Sequence, residues 1–455
     1  MSNQSYIDTL IENAKSAQAV LEGYDQKQVD ALVRAMGKTI YDNAEILAKE
    51  AVEESGSGRV DSKILKLQRC TLAAWHFMHD KKSVGMIDYD PIEKLATFAK
   101  PVGIVAALVP TTNPVSTAAS NGMSIIKSRN AMIVSPHPRT KKVTKHGVDL
   151  MNEELKKLGA PDHLIQIIEE PSMDYTQELM RKVDVVVATG GASMVKSAYS
   201  SGRPSFGVGP GNVQVVVAPD YTDYDKLAEN VVASRAYDNG MPCTGEQAIH
   251  LPRAAVDKVL EAFRSHGCYI LPKEKAPLLA DILFRENGTI NAAHVGMKPY
   301  DLAQLMDLEV PKDTQLLLFE SLGMTRDNIL RREKLCPVVQ YFPYDSYEEG
   351  VANAKSNLLW EGAGHTSIVY TNDTGRAEYA GKEFPVSRVL VNQPGSAASG
   401  GNFINGLQPT MSLGCGSWGN NSISENLTYK HLMNTTRLAY YHEPTIPSPD
   451  IVWQE

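Results

Sequence analysis

Apolar residues recur every three or four positions from Tyr6 to Leu21, and the same spacing continues from Val29 to Val52 and from Lys63 to Phe77. That period gathers the apolar set on one face of each segment, so the first part of the chain reads mostly as helix. A two-residue alternation then takes over in KLATFAKPVGIVAALVP and stops at the turn-forming TTNP, and the β-branched run NAMIVSPHP follows one helix-length later. Strand, helix and strand are therefore expected in succession. The pattern repeats through helix VTKHGVDLMNEELKKLG, strand LIQIIE, helix YTQELMRKV and strand VDVVVATGG. Such alternation predicts a parallel sheet covered by helices on both faces.

A second series begins at Val213, with strands VQVVVA, QAIHLP, TQLLLFE and TSIVYT separated by helices YDKLAENVVASRAYDN, AAVDKVLEAFRSHG and SYEEGVANAKSN. The expected fold class is α/β, with two three-layer domains related to the Rossmann fold. The first domain spans residues 1–212, with residues 407–430 returning to it, and the second spans 213–406. The stretches PGSAASGGNFINGLQP and TMSLGCGSWGNNSISENL lack periodicity and read as a long functional loop or crossover. Residues 82–98 and 431–455 read as a small β arm for oligomerisation, since RLAYYHEPTIPSPDIVW mixes aromatics with prolines.

A chain of 455 residues exceeds one hydrophobic core, which agrees with two domains. Its net charge of −8, with no basic run longer than the Arg139, Lys141 and Lys142 cluster, argues against a nucleic-acid partner. The N-terminal stretch has no basic segment followed by an apolar one, and no apolar run is long enough to span a bilayer. A cytoplasmic protein without membrane association is expected. Five cysteines at irregular spacing, with no C-x-x-C pair, suggest neither a disulfide framework nor a metal site.

Gly190 and Gly191 stand where a strand meets a helix, which permits close backbone approach and offers helix amides to a phosphate. The cluster from Gly207 to Asn212 suggests a hinge before the second series. Cys243, in DNGMPCTGEQ, lies on a tight loop between a helix and a strand, where access and backbone amides favour a reactive thiol. Cys415, in a glycine-rich loop, stands second; Cys70 is placed on a helix and Cys268 at a helix end.

Taken in order, PTTNP (110–114), SPHPR (135–139), ATGG (188–191), GVGPGN (207–212), DNGMPCTGEQ (238–247), EKLCPV (333–338), EGAGHTS (361–367) and LGCGSWGNNSISEN (413–426) closely resemble the CoA-acylating aldehyde dehydrogenases. Among these, the chain looks most like the succinate-semialdehyde enzymes and the aldehyde-oxidising half of bifunctional aldehyde/alcohol dehydrogenases. The resemblance implies an aldehyde dehydrogenase fold with the active site between the domains.

It further implies that Cys243 is the nucleophile, adding to the aldehyde carbonyl and later holding an acyl thioester. Asn113 would stabilise the oxyanion together with the Cys243 backbone amide. His365 matches a family histidine near the cysteine and could deprotonate a thiol. Where hydrolytic relatives carry a glutamate that activates water, this chain has Gly207, so acyl transfer to coenzyme A is expected over hydrolysis. Acetaldehyde or butyraldehyde chemistry and a hydrolytic enzyme remain the alternatives.

For the cofactor, NADP or NAD, the resemblance implies contacts from Pro110, Thr111, Thr112, Ser135, His137, Pro138, Arg139, Thr189, Gly190, Gly191, Gly207, Gly209, Glu333 and Pro337. Glu333 matches the glutamate that binds the nicotinamide ribose. Pro138 replaces an acidic residue that would repel a 2'-phosphate, and Arg139, Lys141 or Lys142 could pair with one, which leans towards NADP. For an aldehyde with an anionic tail, such as succinate semialdehyde or sulfoacetaldehyde, Thr244, Arg203, Arg388 and Ser396 are the candidate contacts. A homodimer or homotetramer is expected.

Overall fold

In the computed structural model, which describes residues 5–454, three sheets organise the chain. The first is parallel and built from β3 (Ile104–Val109), β4 (Ala131–Pro136), β5 (Ile165–Ile167), β6 (Val185–Thr189) and β7 (Ser205–Val208). Every residue of β3 to β6 is buried, which is why these runs are mainly apolar rather than alternating. The order β5-β4-β3-β6-β7 means that the chain leaves β3 in one direction and resumes at β6 on its other side. A crevice opens at the carboxyl ends of the strands where the order reverses in this way.

Helix α1 (Tyr6–Glu22) packs against the sheet and against α7 (Met173–Lys182). Helix α5 (Pro114–Lys127) is buried along its whole length, between β3 and β4 and an outer layer formed by α2 (Gln26–Asp42) and α4 (Val60–Met78). Its N-terminus therefore points out of the core into the crevice, with Asn113 as N-cap. The first two helices start on reciprocal caps, Ser5 with Asp8 and Asp25 with Gln28.

The second sheet has the order β10-β11-β12-β9-β8-β13-β14 and is parallel throughout. Its strands are β8 (Val213–Val217), β9 (Glu246–Pro252), β10 (Cys268–Leu271), β11 (Leu316–Glu320), β12 (Val338–Tyr344), β13 (Gly364–Tyr370) and β14 (Val386–Val391). Strands β7, β10, β12 and β14 are additions to the sequence expectation. Cys268 opens β10 rather than closing a helix. Strand β12 hid because Gln340 and Pro343 interrupt its apolar run.

The third sheet is antiparallel, with β2 (Leu95–Pro101) between β1 (Gly85–Asp90) and β15 (Met433–Ala439). Before β15 the chain runs back over the first domain. Ser412 Oγ bonds Thr189 and Asn121, and Leu427, Tyr429 and Leu432 are buried in the first core. Among the described residues no helix is long and apolar enough to cross a membrane.

Candidate active site

The carboxyl ends of the first sheet face the amino ends of β9 and β13 in the second, and the reactive groups converge there. Cys243 sits on the turn that leads into β9, and His365 is the second residue of β13. Cys243 Sγ lies 3.3 Å from His365 Nε2, while His365 Nδ1 lies 3.1 Å from Thr366 Oγ1. A thiol that donates to Nε2 requires the proton on Nδ1, which then donates to the Thr366 hydroxyl.

Burial sets the protonation of this pair. It pulls His365 down to about 3, with the Arg388 charge adding to the effect, and pushes the Cys243 thiol up to about 12, with the Glu333 carboxyl adding. The resting state is thus a neutral imidazole beside a protonated thiol.

The turn carrying Cys243 is held from both sides. Asp238 and Asn239 adopt the left-handed region at φ 50° and 52°, a conformation that persists only when its surroundings over-determine it. Asp238 accepts from the Arg59 amide at 2.9 Å, from Lys66 at 2.6 Å and from Lys63 at 3.1 Å. Burial alone would raise the Asp238 carboxyl, but the two lysines outweigh it and hold it below the ordinary carboxylate range. On the other side, a Cβ on Gly211 would stand 1.9 Å from the Cys243 carbonyl oxygen, so only glycine permits this approach.

Asn113 makes no side-chain cap to its own helix. Its Oδ1 accepts instead from Lys66 Nζ at 2.6 Å, and its Nδ2 donates one proton to Thr112 Oγ1 at 3.2 Å, which leaves the second Nδ2 proton unused. Lys66 thus joins Asp238, on the cysteine turn, to the amide of Asn113.

Two cavities meet at this point. A cleft of about 390 Å³ runs along the ends of β3, β4 and β6, and a second cavity of about 230 Å³ lies between α4, the cysteine turn and residues 394–411. Asn113, Thr189, Val208 and Cys243 line both. The cleft collects Pro110, Thr111, Thr112, Ser135, His137, Pro138, Gly190, Gly191, Gly209 and Glu333 as well. Glu333 Oε1 is buried without a partner, and burial, with Glu361 adding, pushes this carboxyl up to about 8. Thr244 and Ser396 line the smaller cavity.

Several sequence candidates lie elsewhere. Arg139 is outside the cleft, its guanidinium bonded to the Ser55 carbonyl, and Lys141 is paired with Glu170. Gly207 points away: a Cβ there would stand 2.6 Å from Val195 and 2.9 Å from Tyr199, while Val208 faces the site. Pro337 backs onto Gly240, and Leu335 takes its place on the cleft wall. Arg203 is exposed just before β7, at the opposite end of that strand from the crevice, and bonds the Arg181 carbonyl. Arg388 is 3% exposed and spends its donors on the carbonyls of His365 at 2.9 Å and Gly414 at 2.8 Å and on Asn426 Oδ1 at 2.8 Å. It clamps the start of β13 to the returning segment. Cys415 is buried, its sulfur 3.3 Å from the Leu413 carbonyl.

The residues missed from sequence are Lys66, Arg69 and Asp238. The available signal was charge at core-facing positions of an otherwise apolar helix, since Lys63 and Lys66 fall on the buried face of α4.

Residues 1–267 match the family described as "Aldehyde dehydrogenase family". Over the full length of both chains, the sequence is 48% identical to the succinate-semialdehyde dehydrogenase (acetylating) of Clostridium kluyveri, with 100% of each covered. It is 39% identical to the sulfoacetaldehyde dehydrogenase of an Acholeplasma species, over 97% of this chain and 92% of that protein. The crystal structure of an acetylating aldehyde dehydrogenase from Geobacillus thermoglucosidasius superposes with a TM-score of 0.93 at 35% identity, covering 97% of this chain and 98% of that one.

Proposed function

Given that the chain belongs to the aldehyde dehydrogenase family, we propose that it converts a short aldehyde and coenzyme A to an acyl-CoA, reversibly, through a thioester on Cys243. The observation that carries this reading is the 3.3 Å contact between Cys243 Sγ and His365 Nε2 at the junction of the two cavities.

Cys243 adds to the aldehyde carbon and gives its proton to His365, whose neutral ring has Nε2 free to accept it. The oxygen of the resulting thiohemiacetal takes hydrogen bonds from Asn113 Nδ2 and the Cys243 amide. When bound, NAD or NADP accepts the hydride that leaves the thiohemiacetal carbon. The acyl group remains on Cys243 until the CoA thiol displaces it, returning the cysteine; exchange between two thioesters is nearly energy-neutral, so the reaction runs either way.

The cleft suits the dinucleotide. Glu333 Oε1 lacks a partner and can accept from a ribose hydroxyl, and the amides of Gly190 and Gly191 at the start of α8 (Ala192–Tyr199) can receive phosphate. The wall at the end of β4 carries neither a carboxylate to repel a 2'-phosphate nor a cation to attract one, so both cofactors fit.

Hydrolysis is disfavoured because Glu333 is the single carboxylate among the described residues lining either cavity. Its similarity to succinate-semialdehyde and sulfoacetaldehyde enzymes supports an aldehyde with an anionic tail. All five cysteines are unpaired, as a reducing cytoplasm keeps them. The open edges of β1 and β15, with Tyr89, Leu438, Tyr440 and Trp453 exposed, support a homo-oligomer built through the arm.

The test follows NAD(P)H formation from a panel of aldehydes, with and without CoA, in wild type and Cys243→Ala. Acyl-CoA should form only with CoA present and only in wild type. Acyl-CoA at the normal rate from Cys243→Ala, or carboxylic acid accumulating equally fast without CoA, would refute the reading.

A further inference from the structure

With Arg203 and Arg388 outside the cavities, the smaller cavity has to contain whatever recognises an anionic tail. Helix α4 presents Lys66, Arg69, Cys70 and Ala73 to it, the i, i+3, i+4, i+7 set of one helix face. No carboxylate lines this cavity among the described residues, and of its two cations Lys66 is paired with Asp238 behind the wall. Most of its polar groups are already committed. Lys66 is held by Asn113 and Asp238, Tyr237 donates to the Ser62 carbonyl at 2.7 Å, and Ser396 Oγ donates to the Ser234 carbonyl at 2.8 Å.

Among the cations of the cavity, Arg69 is the exception. Among the described residues, no acceptor lies within hydrogen-bonding distance of its guanidinium, and its side chain is exposed at the cavity wall. We propose that Arg69 is the specificity determinant of the site, binding the terminal carboxylate or sulfonate of the aldehyde while the carbonyl end reaches Cys243. A guanidinium forms two parallel bonds to a planar carboxylate, and one face of a sulfonate offers the same pair of oxygens. Lys66 already donates to Asn113 and Asp238, which leaves it one donor where Arg69 has five. This inference rests on the reading of Cys243 as the acyl-carrying residue.

The test compares kcat/KM for succinate semialdehyde with that for butyraldehyde, which has the same chain length and no charge, in wild type, Arg69→Met and Arg69→Lys. Because Arg69 is exposed to solvent, the ratio of anionic to uncharged substrate should fall about 5- to 10-fold in Arg69→Met. It should recover in part in Arg69→Lys, and the loss should appear in KM. A ratio in Arg69→Met within about twofold of wild type overturns the proposal. Alkylation of Cys243 by iodoacetamide supplies a readout independent of turnover. Succinate should slow it in wild type and not in Arg69→Met, and equal protection of both proteins overturns the proposal. If wild type turns over no aldehyde with CoA, the acyl-transfer reading fails by itself and the alkylation result alone decides on Arg69.

Discussion

The link from Lys66 to Asn113 can be tested by a double-mutant cycle. Asn113→Ala removes the proposed side-chain donor to the oxyanion, a loss of about 2.7–4 kcal/mol that lowers kcat roughly 10²- to 10³-fold. Lys66→Met leaves that donor in place but frees its orientation. The 2.6 Å bond from Lys66 fixes Oδ1 and with it which end of the amide is free to donate. Without it the amide can rotate and present an oxygen to the oxyanion, and the orientation energy lost is that of one charge-assisted bond, about 1.5–3 kcal/mol. Lys66→Met should therefore lower kcat about 10-fold or more, and never beyond the Asn113→Ala loss.

The decisive comparison is the double variant. If Lys66 acts through Asn113, adding Lys66→Met to Asn113→Ala should change kcat by no more than about twofold. The assay uses butyraldehyde at saturating CoA and cofactor, so that the charge of Lys66 towards an anionic tail plays no part. Asp238 retains Lys63 at 3.1 Å and the Arg59 amide at 2.9 Å, so the variant should lose less than the about 3–5 kcal/mol of a wholly unpaired buried charge and still fold. Losses in kcat that simply add would refute the linkage.

Two further predictions concern the scaffold. In Gly207→Ala the new methyl meets Val195 at 2.6 Å and Tyr199 at 2.9 Å, so urea denaturation should show a loss of about 1–3 kcal/mol; an unchanged midpoint would mean that β7 and α8 yield freely. His250 is fully buried and burial pulls it down to about 3 from 6.5. Between these values the unfolded chain binds a proton that the native state refuses, so this residue's contribution to stability is whole above pH 6.5 and declines as pH falls towards 3. Between pH 7.5 and 5, His250→Gln should therefore gain about 2 kcal/mol relative to wild type in urea denaturation, and a difference independent of pH would refute the assignment.

What could be read from sequence divides along physical lines. The turn around Cys243 was legible because glycine and proline punctuate it and a helix and a strand flank it, and β4 and β6 were legible because they are mainly apolar and β-branched runs. Strand β12 was not, since Gln340 and Pro343 break its apolar run. Charged residues were the least legible. Arg388 and Arg203 look alike in sequence, yet one is locked among backbone carbonyls and the other lies at the wrong end of β7. A cation's type does not reveal what its donors meet. Lys66 escaped notice because a lysine within a helical pattern is ordinarily on the solvated face, whereas here the 3.6-residue period turns it inward.

The fate of the thioester turns on the protonation of the groups around it. In the proposed mechanism an acyl group on Cys243 meets water or a thiol, and water needs a base. His365 lies 3.3 Å from the sulfur, and burial holds it down to about 3, so it is a weak base that can take a proton from the adjoining thiol only as the new carbon–sulfur bond forms and is still less able to draw one from water, which is far less acidic than a thiol. Glu333, the other titratable group on the cleft wall beside Cys243, is pushed up to about 8 and is mostly protonated at neutral pH, with no charge to accept a proton. A CoA thiol needs much less assistance because a fraction of it is ionised already and sulfur attacks a thioester readily in that form. The same burial that makes both residues poor bases for water therefore biases the acyl group towards thiol transfer, without any element of the site having to exclude water physically.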